Sequence, residues 1–439
     1  MKPKGLLIAV GLLAVLGGVV WWSNKKQAAA EKNPADTTVK IVSIPEDQIQ
    51  AIRIQHAGGE TDDLKKDNGK WVMTGPKPLP ADPDAAASLV SSLTTVTADQ
   101  TVENNATDLS PYGLNHPQLD VKVTQKDGKT DDLLIGDDTP TNSGSYAMRA
   151  GNPHVYTVSS YVKTSLNKNE NDLRDKRLLT FNQDALTRIE LEGKGPAIEF
   201  GKNSQNEWTI LKPRPLRADS SAVDGLVSKL HDAKMDLTNP DADAAKKFAG
   251  AAKIATVAVT DAAGNQTLEV RQDKDHTYFA KSSVVEGVYK IASDVGDAFN
   301  KTLDDFRNKK LFDFGFSDPG SVEANANVYT KSGDKWMSGA KTMDSATVQS
   351  LIDKLRDLSA TKFVDKGGGQ PVFKATVKSN DGKRVETVTI AKEGDRYFAQ
   401  REGEPSIYEL DAKSVEDLQK AAGDVKEQAP APAVAPKKK

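Results

Sequence analysis

Asp172-Leu173-Arg174-Asp175-Lys176-Arg177-Leu178-Leu179 returns almost intact as Asp305-Phe306-Arg307-Asn308-Lys309-Lys310-Leu311-Phe312. Each copy follows a helix-like segment and precedes a new Phe-containing start, Phe181 in one case and Phe314 in the other. The chain therefore reads as three versions of one module, with this stretch as the joint. Between a closing helix and an opening strand, its charged residues Arg174, Asp175, Lys176, Arg177, Arg307, Lys309 and Lys310 read as an inter-module brace. Leu178, Leu179, Leu311 and Phe312 read as plugs. No copy of the motif follows the third module, and none is expected if no fourth module follows.

The modules keep a common register. A capping Asp opens a helix whose two core leucines follow at offsets of 7 and 11: Asp82 with Leu89 and Leu93, Asp219 with Leu226 and Leu230, Asp344 with Leu351 and Leu355. Asp is a good N-cap, and Pro83 suits the first helical turn. Before each helix stand strands carrying Ile52, Ile54 and Trp71, or Ile189, Leu191 and Trp208, or Val328 and Trp336; the tryptophans read as core. After each helix comes a hairpin: Val121–Val123 to Leu133–Ile135, Val257–Val259 to Leu268–Val270, and Ala375–Val377 to Val388–Ile390. Tyr146, Tyr278 and Tyr397 then begin a third strand, and Tyr156, Tyr289 and Tyr408 lie on a fourth. The expected fold class is α+β, three tandem antiparallel-sheet-plus-helix modules behind one N-terminal transmembrane helix.

The membrane segment is Gly5–Trp22, an uncharged run of 18 residues. As a helix it covers about 27 Å, close to a hydrocarbon core of about 30 Å. Lys2 and Lys4 precede it, while Trp21 and Trp22 suit an interface and Lys25 and Lys26 follow. A cleaved signal peptide is the competing reading, with Ala28 to Ala30 as the site, but the length of the run and the two lysines before that site favour an anchor. The expected organisation is anchor 1–22, linker 23–38, module 39–171, joint 172–179, module 180–304, joint 305–312, module 313–423 and a disordered Pro/Ala/Lys tail 424–439. The single anchor favours a bacterial cytoplasmic-membrane protein with its bulk extracytoplasmic, in the periplasm.

Composition removes several functions. Lys and Arg number 59 against 62 Asp and Glu, a formal charge of −3, so no global electrostatic case exists for nucleic acid. The absence of cysteine excludes disulfides, thiolate nucleophiles and cysteine zinc sites. Gly128-Lys129-Thr130 resembles the end of a phosphate-binding loop, but the required earlier glycine is Val123, and a hairpin turn explains it better. The five histidines show no close ligand spacing. Asp62-Asp63, Asp131-Asp132 and Asp137-Asp138 place neighbours on opposite faces of a strand rather than paired for acid–base work. Asp241-Ala242-Asp243 lacks the remaining ligands of a calcium loop, and Ser143-Gly144-Ser145 is no nucleophile elbow. No catalytic residue, cofactor or metal ligand is assigned.

Leu109-Ser110-Pro111-Tyr112-Gly113-Leu114-Asn115-His116-Pro117, followed by Ile135-Gly136, Thr139-Pro140, Tyr146, Val155-Tyr156 and Leu173-Arg174-Asp175-Lys176, resembles the bacterial domain-of-unknown-function family 4340. The likeness is most specific from Lys70 to Leu191 and diffuse beyond it. Phe248 stands in the place of Tyr112, and the third module retains only Gly367-Gly368-Gly369 and Pro371. The resemblance implies an envelope protein with one N-terminal membrane segment, often encoded beside gliding-type ABC-transporter components. It supplies no catalytic residue. Tyr112, Asn115, His116 and Pro117 form the loop with most individual character, either a partner-binding loop or a plug for the module's open edge.

Three functions are carried forward: a non-enzymatic scaffold or accessory subunit of an ABC-transporter-type assembly, an extracytoplasmic module binding a peptide, glycan or lipid, and, last, a hydrolase assembled from distant residues. The membrane and transporter components are the expected partners, and the oligomeric state is left open.

Overall fold

The computed structural model describes residues 39–238 and 241–429. The anchor at Gly5–Trp22, the linker to residue 38 and the tail from residue 430 lie outside the described residues. Among the described residues no helix is long and apolar enough to cross a membrane. The class is α+β, built on mostly antiparallel sheets with few helices.

In each repeat an Asp ends the first run of strands and starts a helix. Asp82 accepts hydrogen bonds from the amides of Asp84 and Ala85 at 3.0 Å each. Asp219 accepts from Ala222 at 3.1 Å, and Asp344 from Ala346 at 3.0 Å and Thr347 at 3.2 Å. These side chains satisfy amides that would otherwise be orphaned at the helix start. The helices Pro83–Thr94, Ser220–His231 and Ser345–Asp357 bury the leucine pairs expected from the 7 and 11 offsets.

Apart from the two-stranded pairing of Lys40–Ser43 with Thr95–Thr97 in the first repeat, the strands before and after each helix join one sheet, an arrangement that separate hairpins do not anticipate. In the first repeat Ile49–His56 pairs with Thr61–Asp67 on one side and with Leu119–Gln125 on the other, both antiparallel. The nine-stranded sheet extends one way through Lys70–Gly75 to Leu79–Pro80. The other way it runs through Thr130–Asp138, Gly144–Arg149 and Val155–Ser159 to Gln100–Glu103. Arg188–Glu192 is the corresponding centre of an eight-stranded sheet, and Ser321–Ala324 that of a second nine-stranded one. One face of each sheet buries alternate residues, such as Ile52, Ile54, Val121, Val123, Leu133 and Ile135, in a separate hydrophobic core beneath the helices. Gly128 lies in the turn of such a hairpin, at φ +83°.

Three expectations need correction. Tyr146 is not the counterpart of Tyr278 and Tyr397. The ladders align Ala147 opposite Ile135, Ala280 opposite Val270 and Ala399 opposite Ile390. Tyr146 therefore matches Phe279 and Phe398, and a one-residue slip moves a side chain to the other face. Tyr278 and Tyr397 lie in the main cores, whereas Tyr146 packs on the outer face. Trp208 and Trp336 are buried, but Trp71 is only half-buried, with Lys66 Nζ 5.9 Å from its ring centre.

The third correction concerns the end of the last repeat. Residues 424–429 are ordered in part by docking, since Glu427 bridges Met343 and the Asp344 amide donates to the Lys426 carbonyl at 2.9 Å. The same edge receives Arg174 at Ala81 and Arg307 at Ala218. The backbone role of the joint thus recurs without its sequence, because a β-bridge needs only extended backbone.

The described residues up to Lys176 form one compact unit and those from Arg177 onward a second, which contains the second and third of the large sheets.

Candidate functional site

The joint motif resolves into parts. Asp172 and Asp305 are the third residues of short helices, Glu170–Leu173 and Leu303–Phe306, and complete capping boxes with Asn169 and Thr302. The carbonyls of Leu173 and Phe306 then accept from the capping residues Asp82 and Asp219, each at 2.8 Å. In the first unit, Arg174 is buried with its Nη1 3.6 Å from Glu170, the Asp175 amide donates to Pro80 at 2.8 Å, and Lys176 is half-buried.

In the second unit, Arg177 bridges Lys234 and the Leu178 amide donates to Ala233 at 2.8 Å. The second copy of the joint continues likewise, with Lys310 bridging Ser359 and Leu311 donating to Leu358 at 2.9 Å. Leu178 and Leu179 enter the core of the second repeat, Leu311 and Phe312 that of the third. The side chains of Lys309 and Lys310 are exposed, so these residues contribute through backbone.

Arg307 is the residue of the motif that ties the second and third repeats by its side chain. Its backbone bridges Ala218, while its guanidinium lies 3.4 Å from the ring centre of Phe363 and donates to Ser406 Oγ at 2.9 Å. Around it stands a charged cluster that the motif does not contain. Arg217 donates to the Lys310 carbonyl, and its Nε faces Glu404 at 2.9 Å as an ion pair without hydrogen-bond alignment. Arg401 donates to Glu404 at 2.7 Å, to Glu386 at 3.1 Å and to the Leu311 carbonyl. Glu386 in turn accepts from the Asp313 amide at 3.0 Å, and Arg384 reaches Glu207 at 2.9 Å. Tyr408, buried and donating to Glu404 at 2.8 Å, has its phenol raised by burial.

Glu386 and Arg401 occupy the positions of Gln266 and Ser282 in the second repeat. There the same two places hold the incoming joint through neutral groups, Gln266 Oε1 to the Thr180 amide at 2.8 Å and Ser282 Oγ to the Leu178 carbonyl. A signal for the missed pair was available in the comparison of repeats, where an oppositely charged pair replaces an amide and a hydroxyl.

The Tyr112 loop lies over the outer face of the first sheet. Leu114 is buried with Met148 and Val155, and Tyr112 packs beside them with its ring centre 5.1 Å from that of Tyr146. The Tyr112 hydroxyl donates to Glu103 at 2.8 Å, which raises its phenol. Gly136 leaves room for the loop: a Cβ there would sit 2.1 Å from the Tyr112 carbonyl oxygen. Gly113 turns at φ +65° against Asp137. Asn115 Nδ2 donates to Ser110 Oγ at 2.7 Å, His116 is exposed, and Pro117 is half-buried ahead of the strand that begins at Leu119. Tyr112 and Asn115 are thus turned to their own repeat, and Asn115 and His116 form the accessible crest.

The other repeats cover the same face differently. In the second, Arg271 replaces Gly136, lies 4.7 Å from the Phe248 ring and donates to the Phe248 carbonyl at 3.3 Å. In the third, Gly367 passes close to the ring of Phe398. Among the described residues no group of three or more His, Asp or Glu could hold a metal ion.

A family model described as Domain of unknown function (DUF4340) matches residues 71–213 and again 208–368. The pattern therefore extends well beyond Leu191. The two matches begin at or beside the equivalent Trp71 and Trp208, so the family unit straddles the joint, taking the end of one sheet and the start of the next. No curated protein and no solved structure matches the chain.

Proposed function

Because the chain belongs to the DUF4340 family of domains of unknown function, we propose that it is a membrane-anchored, non-enzymatic envelope protein that serves an ABC-transporter-type assembly as scaffold or accessory subunit. Three tandem modules stand behind one N-terminal transmembrane helix, which fixes the chain to the cytoplasmic membrane and leaves the modules in the periplasm. The single observation that supports a scaffold best is the bracing of the second and third repeats by Arg217, Arg307, Arg401, Glu386 and Glu404. Arginines largely withdrawn from solvent and bonded to several partners suit one fixed geometry rather than simply adding stability. A spacer that must hold partners at a set distance needs that property, whereas a catalyst needs convergent reactive groups.

Affinity purification of the full chain from native membranes tests the proposal. Recovery of a transporter ATPase and its permease supports it. Recovery of the chain alone, carrying a small molecule, favours the binding-module alternative instead.

A further inference from the structure

An open cavity of about 300 Å³ lies at one end of the first sheet, between the turn that ends in Gly144 and the helix Ser160–Leu166. Asp138, Asn142, Ser160, Lys163 and Asn167 line it. Ligand pockets of small molecules start at about this volume but are usually walled by apolar groups. This one is walled by hydrogen-bonding groups of both senses.

Its charges cancel and its polar atoms are held in place. Lys163 Nζ donates to Asp138 Oδ1 at 2.7 Å and to Gln118 Oε1 at 2.7 Å. Asp138 Oδ1 also accepts from Ser145 Oγ at 2.7 Å, and these two bonds hold its carboxyl below the usual range. Asn167 Oδ1 lies 3.1 Å from His56 Nδ1, and His56 Nε2 lies 3.0 Å from the buried Asp62. Asp138 Oδ2 and one proton of Lys163 take no part in these bonds, which leaves an acceptor and a donor beside the hydroxyl of Ser160.

We propose that this cavity binds one residue of a neutral sugar. A polyhydroxylated ring matches a lining of hydroxyl and amide groups whose one lysine is paired to its one carboxylate. An anion would meet a lysine already paired to a carboxylate and no arginine among the lining residues, which disfavours phosphate. A lipid chain would find no apolar floor. The site is separate from the brace that supports the scaffold reading, so either can fail without the other. It would give an envelope scaffold a contact with glycan.

Saturation-transfer NMR on the full chain, in a detergent without a sugar headgroup, tests the proposal with glucose, galactose, mannose and N-acetylglucosamine as separate probes. At least one should receive saturation. Ser160→Ala and Asn142→Gly, both at exposed lining positions and the second compatible with the left-handed backbone of Asn142, should each weaken that binding by about tenfold with an unchanged melting temperature. Transfer to none of the sugars, transfer untouched by both variants, or displacement of the sugar by inorganic phosphate would each overturn it.

Discussion

The guanidinium of Arg307 lies 3.4 Å from the ring centre of Phe363, so the joint and the third repeat meet through a stacked cation rather than through a surface ion pair. Lysine cannot reproduce a flat guanidinium that stacks and also donates to Ser406. Arg307→Lys should lower stability by about 1–2 kcal/mol, the range for a desolvated cation–π contact. Thermal melting of the full chain measures it, and a variant within experimental error of the wild type would refute the role.

Glu386 is buried and Arg401 nearly so, which sets the size of the next effect. Glu386→Gln leaves Arg401 still bonded to Glu404 at 2.7 Å, so the loss is that of charged hydrogen bonds, about 1.5–3 kcal/mol, rather than of a stranded charge. Glu386→Gln should therefore uncouple the repeats more than Arg307→Lys does. Trp208 and Trp336 are buried one in each sheet, so single-tryptophan variants report each repeat separately. Their unfolding transitions should coincide in the otherwise native chain and separate after Glu386→Gln.

Gly136 faces the Tyr112 carbonyl so closely that any side chain displaces the loop. Gly136→Ala should cost about 1–3 kcal/mol, as overpacking usually does. It should also expose residues 104–118 to protease, with new cleavage there read by mass spectrometry. Cleavage elsewhere, or none, would show that the loop stays seated.

Asp62 supplies a pH dependence. Burial, its largest influence, raises its carboxyl above the ordinary 3.8, while the hydrogen bond from His56 opposes this. Below 3.8 the group is protonated in both the folded and the unfolded chain. As pH rises, the unfolded chain ionises first, and stability is lost until the folded carboxyl has ionised too. The melting temperature of Asp62→Asn minus that of the wild type should therefore grow as pH rises from about 4 through the raised value. A difference constant across that range would contradict the assignment.

Much of this fold was legible because it is local. A capping Asp followed by leucines at offsets of 7 and 11 specifies a helix and its buried face by itself, and all three copies obey it. The joining of each repeat into one sheet was not legible. It depends on Ile49–His56 pairing with Leu119–Gln125 across a helix, and no residue in either strand marks its partner. Tyr146 misled for a related reason: aligned by residue type it matches Tyr278, whereas the ladder aligns it with Phe279. In the brace, the motif pointed to Arg307 but not to Arg217, Glu386, Arg401 or Glu404, which gather only when the two repeats meet. The loop motif is distinctive in sequence. Why Tyr112-Gly113-Leu114 travels with Ile135-Gly136 emerged only from their contact.

The most direct test of the scaffold is purification from native membranes of the tagged wild-type chain beside the Arg307→Lys/Glu386→Gln chain. The wild type is expected to recover an ABC-transporter ATPase with its permease, and the uncoupled chain, still inserted and with each repeat folded, to recover markedly less. A wild-type chain that repeatedly comes out of the membrane without transporter subunits would contradict the proposed function.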